Sequence, residues 1–201
     1  MPVLMSVLMH GTSVPRVVKS TRESRSSRPP KRGGVVVPLS FEDVYGGKLV
    51  AAMDRQHPRD LFDVTQLFVH EGITAGIRRA FVVYLASHNR PVHEVLFPSL
   101  RDLRQEFEHN FAGMTTEPVE LDALLAARER MMRELQQGLN ADERRFLLSL
   151  VAAEPEWSLL GVPHLEQLPG LRWKLQNLER LRKANARKFA EQSNALARLF
   201  G

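Results

Sequence analysis

Ser40-Phe41-Glu42-Asp43-Val44-Tyr45-Gly46-Gly47-Lys48-Leu49-Val50-Ala51-Ala52-Met53-Asp54-Arg55-Gln56-His57-Pro58-Arg59-Asp60-Leu61-Phe62-Asp63-Val64 reads as two helices and the corner between them. Ser40 followed three residues later by Asp43 is a capping-box pattern, so a first helix is expected to begin there and run to about Arg55. Pro58 suits the first turn of a second helix, where its missing N–H has no intrahelical partner. Leu61, Val64, Leu67 and Phe68 then form an apolar stripe at three- and four-residue spacing, and Gly72 closes the segment. Gly46-Gly47 inside the first helix costs about 1 kcal/mol per residue relative to alanine. Such a pair asks for a reason, and close approach of a neighbouring backbone, or of a ligand beside Lys48, would supply one.

Helical patterning continues outward from this stretch. A third helix is expected from Thr74 to Ser87, with Ile77, Phe81, Val82 and Leu85 inward and Arg90-Pro91 as the break. A further helix is expected to hold Leu100, Leu103, Phe107 and Phe111, ending at Gly113. Pro118 opens a long one through Leu121, Leu124, Leu125, Met131, Met132 and Leu135, and Asn140-Ala141-Asp142-Glu143 marks the next boundary. The last helices carry Trp173, Leu175, Leu178 and Leu181, then a weaker stripe of Phe189, Leu196 and Leu199. Both tryptophans read as packing anchors. Toward the N-terminus the pattern changes. Val35-Val36-Val37-Pro38-Leu39 reads as one short strand, kept from a central position by Pro38. The expected fold class is mainly α with a short N-terminal β fragment, organised as a basic, partly disordered arm over 1–39 and a helical domain over 40–201.

Composition excludes several chemistries. Without cysteine there is no disulfide, zinc–thiolate site or cysteine nucleophile. His57, His88, His93 and His164 stand in no His-Glu-x-x-His pattern, so protein-ligated zinc is not expected. The opening run to Met9 is too short to span a membrane, and its basic residues follow rather than precede it. A cytoplasmic protein with no membrane partner is the expectation. Residues 1–40 carry seven Lys/Arg against one acid, which leaves the remainder at −1 and balanced on average. A basic arm can follow phosphates, but Ser/Arg/Pro richness without interleaved aromatics favours a solvated leader.

The corner itself concentrates ionisable groups. Lys48 and Arg55 are seven apart and project from one side of the first helix; Asp60 and Asp63 are three apart, and Arg59 and Asp63 four, on the second. If the second helix folds back, the cations of one face the acids of the next. Lys48 and Arg55 can then hold phosphates, with an aspartate beside them to orient a hydroxyl, because phosphoryl and nucleotidyl transfer depend on positioning and electrostatics. On spacing alone an ion-pair clamp, with Asp60 serving a helix N-terminus, is the simpler reading.

SFEDVYGGKLVAAMDRQHPRDLFDV (40–64) resembles the signature of the AbiEii/AbiGii toxin family of nucleotidyltransferases, where a lysine on one helix precedes Arg-Asp-x-x-Asp on the next. The segments EGIT, FVVYLASHNRPVHEVL, FAGMT and LLG…WKLQNL extend the likeness over roughly residues 35–182. The resemblance implies the helical C-terminal lobe of a polymerase-β-like fold, in a type IV toxin–antitoxin or phage-defence setting. It implies nucleotide transfer from an NTP, with Mg²⁺, onto an acceptor such as tRNA, and a cognate antitoxin that acts mainly genetically rather than by tight binding. By it, Lys48 contacts the triphosphate with Arg55 and Arg59 in support, and Asp60 or Asp63 is the second-lobe catalytic carboxylate. One departure stands out. No Gly-Ser dipeptide occurs, and none of the seven aspartates is two residues from another, so the family's Gly-Ser loop and the Asp-x-Asp pair that holds Mg²⁺ are both missing. No metal ligand is therefore assigned; Val7–Thr12 corresponds to a late strand of the catalytic lobe, and an N-terminally truncated chain, inactive alone, is expected. The alternative is a non-enzymatic helical module that binds nucleic acid or a partner protein.

Overall fold

A computed structural model describes residues 40–201, all within the unit Pro38–Gly201. The expected arm over 1–39, the strand at 35–39 and the strand at 7–12 lie outside the described residues. In chain order the helices are α1 (Phe41–Arg55), α2 (Pro58–His70), α3 (Ala75–Ser87), α4 (Val92–Leu96), α5 (Arg104–Asn110), α6 (Leu121–Gly138) and α7 (Ala141–Val151). Short 3₁₀ turns at Trp157–Leu160 and Leu165–Gln167 lead to α8 (Pro169–Ala184) and α9 (Ala186–Phe200). Among the described residues no strand occurs, and the protein is mainly α.

Local chemistry sets most of these boundaries. The Ser40 hydroxyl oxygen accepts from the Asp43 N–H at 3.1 Å, satisfying one orphan donor of α1. Thr74 does the same for α3 through the Ile77 N–H at 3.2 Å. At α7 the box is complete: Asn140 Oδ1 accepts from Glu143 N at 2.8 Å, and Glu143 Oε2 accepts from Asn140 N at 2.9 Å. Gly72, at φ +69°, sends its N–H back to Leu67 O at 2.8 Å and stops α2.

Two expected helices differ. The segment around Leu100–Phe111 is not one helix; α4 precedes it, α5 begins only at Arg104, and Leu100 lies in the connection with 61% of its surface exposed. Asp102 Oδ1 accepts from Arg104 N at 3.0 Å and provides the local start. Pro118 does not open α6 either, which begins three residues later at Leu121.

The core joins Leu49 and Met53 of α1 to Phe81 and Leu85 of α3, Leu124 and Met131 of α6, and Phe146 of α7, all fully buried. The α1–α3 crossing explains one glycine of the pair. A Cβ on Gly46 would stand 2.7 Å from Ala80 Cβ and 2.8 Å from the Ala80 carbonyl carbon, so only glycine lets the two backbones meet. A Cβ on Gly47 would meet the Tyr84 ring at an ordinary 3.7 Å. The tryptophans also part company. Trp157 packs against Phe146 with ring centroids 6.1 Å apart, whereas Trp173 is 51% exposed and is no packing anchor. Its neighbour Lys174 is buried instead, and its ammonium donates to His88 O at 2.8 Å and Arg90 O at 2.7 Å, tying α8 to the turn after α3. Among the described residues no helix is long and apolar enough to cross a membrane.

Candidate functional site

The turn from α1 to α2 is made by Gln56 and His57. Gln56 takes the left-handed conformation at φ 52°, ψ 39°, a costly one for a residue with a Cβ, and its surroundings hold it there. The residue is 1% exposed and both ends of its amide are engaged: Nε2 donates to Ser99 O at 2.8 Å, while Oε1 accepts from Arg101 N at 3.2 Å and Arg128 NH1 at 3.3 Å. His57 then caps α2, its Nδ1 accepting from Arg59 N at 3.2 Å. That bond leaves the proton on Nε2, which meets Glu106 Oε1 at 2.9 Å.

With the corner fixed, the two helices pair their charges across it. Lys48 Nζ bonds the Asp63 carboxylate, and Arg55 NH2 bonds Asp60 Oδ1 at 2.7 Å. The lysine and its aspartate are each a little over a third exposed, and Arg55 is 62% exposed, so both cations are within reach of a ligand from solvent. Asp60 is the enclosed member. Its side chain is 16% exposed, and Oδ2 is buried with no hydrogen-bond partner. An unpaired carboxylate oxygen kept from water is a costly feature that a bound hydroxyl or N–H would relieve.

Not every charged residue of the stretch joins this arrangement. Arg59, four residues before Asp63, turns away and places NH2 3.1 Å from Met114 Sδ. Asp54 is bonded instead to Arg90, with His88 Nε2 at 3.7 Å. Burial pushes the His88 imidazole below its usual range against the pull of Asp54. Beside Gly47 an open depression of about 410 Å³ runs between Arg55, Asp54 and Tyr84, so this glycine borders solvent-accessible space rather than packed backbone.

Sequence reasoning passed over two supporting residues. Gln56 offers no pattern to read, because its importance comes from partners 43 to 72 positions away. Arg128 lies on the buried stripe of α6, 6% exposed, where an apolar residue would be expected. Its NH1 donates to Arg101 O at 2.8 Å as well as to Gln56, and its Nε has no partner. Burial lowers its affinity for the proton, and among the described residues it forms no ion pair. It is a buried cation directly behind the corner, with Glu129 offsetting part of the cost of its burial.

The fold and this corner define a mainly helical protein with two ion pairs, Lys48–Asp63 and Arg55–Asp60, across one helix–helix junction. The family model described as the nucleotidyl transferase AbiEii toxin of type IV toxin–antitoxin systems matches residues 13–177, and the chain belongs to that family. No curated protein and no solved structure matches it significantly.

Nucleotidyltransferases of this kind imply Mg²⁺ and an NTP. Among the described residues no group of three or more His, Asp or Glu side chains is placed to hold a metal ion. Asp60 and Asp63 each already face a cation, and magnesium asks for near-octahedral oxygen coordination. The donors of residues 40–201 therefore do not make a magnesium site.

Proposed function

We propose that the α1–α2 corner is the second-lobe half of a nucleotidyltransferase site, acting on an NTP and an acceptor hydroxyl of tRNA or another nucleic acid. What supports this most is the pairing across the corner: two accessible cations held ready by two carboxylates, one of which keeps a buried oxygen without a partner. In the reaction the acceptor oxygen attacks the α-phosphorus, the bond to the β-phosphate oxygen breaks, and pyrophosphate leaves. Lys48 meets the triphosphate as a compact point charge and Arg55 as a planar fork, with Arg59 able to swing in from Met114. Asp63, released from Lys48 as the phosphates arrive, and Asp60 through Oδ2 orient the sugar or the attacking hydroxyl. Residues 1–201 contain no Asp-x-Asp, so the chain by itself binds nucleotide without turning it over. The same reading carries a cytoplasmic setting, a role in phage defence and a cognate antitoxin acting through genetic pairing.

The test is isothermal titration of the 1–201 protein with each NTP and Mg²⁺, beside a Lys48→Ala variant. Saturable binding that weakens at least about tenfold in the variant is the expected result, since a phosphate contact to a charged group is worth roughly 1.5–3 kcal/mol. No binding by a protein shown to be folded would reduce the corner to an ion-pair clamp and leave a helical partner-binding module.

A further inference from the structure

The average charge balance of the helical unit hides a division along the chain. Residues 41–168 hold 13 Lys/Arg and 20 Asp/Glu, a net −7, whereas residues 169–201 hold eight and two, a net +6. The positive excess of the described unit is thus confined to the α8–α9 hairpin. On α8, Leu171, Lys174 and Leu178 face inward. The opposite side presents Arg172, Gln176, Arg180 and Lys183, spaced four, four and three apart and all exposed, with Glu179 at its edge as the one acid. Trp173 stands among them half exposed, with the Arg180 guanidinium carbon 5.8 Å from its ring centroid. Lys188, at the start of α9, is exposed as well. Among the described residues Arg182 pairs with Glu154 and Arg187 with Glu191, but Arg172, Arg180, Lys183 and Lys188 form no ion pair.

We propose that this face docks RNA, its cations following the phosphate backbone while Trp173 stacks on an unpaired base. Lys183, in the last turn of α8, suits the helix dipole, and the other cations alone would be a solvated face; a tryptophan held half exposed among them is what a solvated face leaves unexplained. Cations tracking a backbone, with an aromatic platform between them, are the combination that single-stranded nucleic acid requires. Bases within a duplex stay stacked and out of reach of Trp173, whereas RNA loops and ends splay theirs out. An anionic membrane fits less well, because Leu171, Leu178 and Leu196 of the hairpin are buried in the protein and only Leu199 and Trp173 remain as large exposed apolar side chains. The inference deepens the proposed transfer to a nucleic-acid acceptor by assigning the surface that holds it, and it rests on that reading for its purpose, not for the binding itself.

The experiment is fluorescence anisotropy of a labelled RNA stem–loop with the 1–201 protein, without NTP, across a salt series. A variant combining R172Q, R180Q and K183Q should bind at least about tenfold more weakly. Its log affinity should also fall less steeply with log salt, by about 2, because each lost single-strand phosphate contact removes about 0.7 from the slope. W173A should lose about tenfold on the stem–loop and nothing on a fully paired RNA, together with the fluorescence quenching that accompanies binding. K48A should keep full RNA affinity, so a failed nucleotide site and a failed docking face give different results. The proposal is overturned if the triple variant binds like wild type while R25Q/R28Q/K31Q/R32Q carries the loss. Tighter binding to phosphatidylserine vesicles than to RNA, or equal loss on loop and duplex in W173A, would overturn it too. All the α8 substitutions are at exposed positions, and far-UV circular dichroism confirms that each variant is folded.

Discussion

The α1–α2 corner and the α8–α9 hairpin are both pairs of consecutive helices that present Lys and Arg to solvent, yet they differ in where the countercharge sits. At the corner Lys48 and Arg55 on one helix meet Asp63 and Asp60 on the next. On the hairpin, Arg172, Arg180 and Lys183 share a face with no carboxylate bonded to them among the described residues. The backing differs as well. Gln56 and the buried Arg128 lock the corner from behind, while the outer face of α8 looks onto solvent. Paired charges on rigid elements are preorganised for chemistry at a point. Unpaired ones make a field that attracts a polyanion from a distance and loses strength with salt. Charge along the chain already separates the two, with three cations against five acids over 41–70 and eight against two over 169–201, and the placement of opposite charge in three dimensions adds which cations are paired.

The largest effect expected is on the frame that holds the corner. Gly46→Leu forces a side chain into a place where even a Cβ would be 2.8 Å from the α3 backbone, and should destabilise by about 3 kcal/mol or more. Gly47→Ala meets only the Tyr84 ring at 3.7 Å and should be neutral or stabilising by up to about 1 kcal/mol, as alanine for glycine within a helix. Urea denaturation of the two variants measures the contrast. Equal costs would mean that helix crossing is not what the glycine pair serves.

A second effect concerns how the hairpin is attached. Lys174 gives its two bonds to the carbonyls of His88 and Arg90, and burial pulls its ammonium down to about 8. The unfolded amine titrates near 10.5, so between about pH 8 and pH 10.5 the unfolded chain binds more protons than the folded one. Stability therefore rises with pH through that window, and the cost of burying the charge is present in full below it. The neutral amine still has two N–H groups, enough for both carbonyls. Relative to Lys174→Met, the wild-type unfolding free energy should climb by at most about 3 kcal/mol between pH 7.5 and 10.5. A difference that stays flat with pH would show that the buried ammonium is as well placed as a hydrated one.

What was legible in the sequence follows the range of the physics. Ser40, Pro58, Thr74 and Asn140 act within a few residues, and each marks a helix start that the structure contains. The antiparallel charge logic of the corner needed only helical spacing plus one reversal, and its two ion pairs form as that logic predicts. Arg59 shows the limit: four residues from Asp63, it goes instead to Met114, 55 positions away. Likewise α4 and α5 are too short to show a period, and Leu100 looks like a stripe residue while lying exposed in a connection. Gln56 and Arg128 carry no local pattern because their partners are remote. Trp173 departs from the expected packing role because helical spacing puts it one residue from the buried Lys174 and outside the Leu171 stripe, on the exposed side. The hairpin's charge was hidden for a simpler reason, since an average over 161 residues cancels −7 against +6.

The smallest expected effect is the one that best separates clamp from site. Lys48 and Asp63 are 38% and 39% exposed, so solvent screens their attraction, and half-exposed pairs contribute about 0–1 kcal/mol. A double-mutant cycle of Lys48→Ala and Asp63→Ala on folding stability should therefore give a coupling below about 1 kcal/mol. The same substitutions should have their larger consequence in nucleotide titrations, where Lys48 loses a phosphate rather than a screened neighbour. A coupling of 2–3 kcal/mol in folding, of the order seen for buried networks, would reverse that ranking. The pair would then exist to hold α1 against α2, and the corner would differ from the hairpin in packing rather than in chemistry.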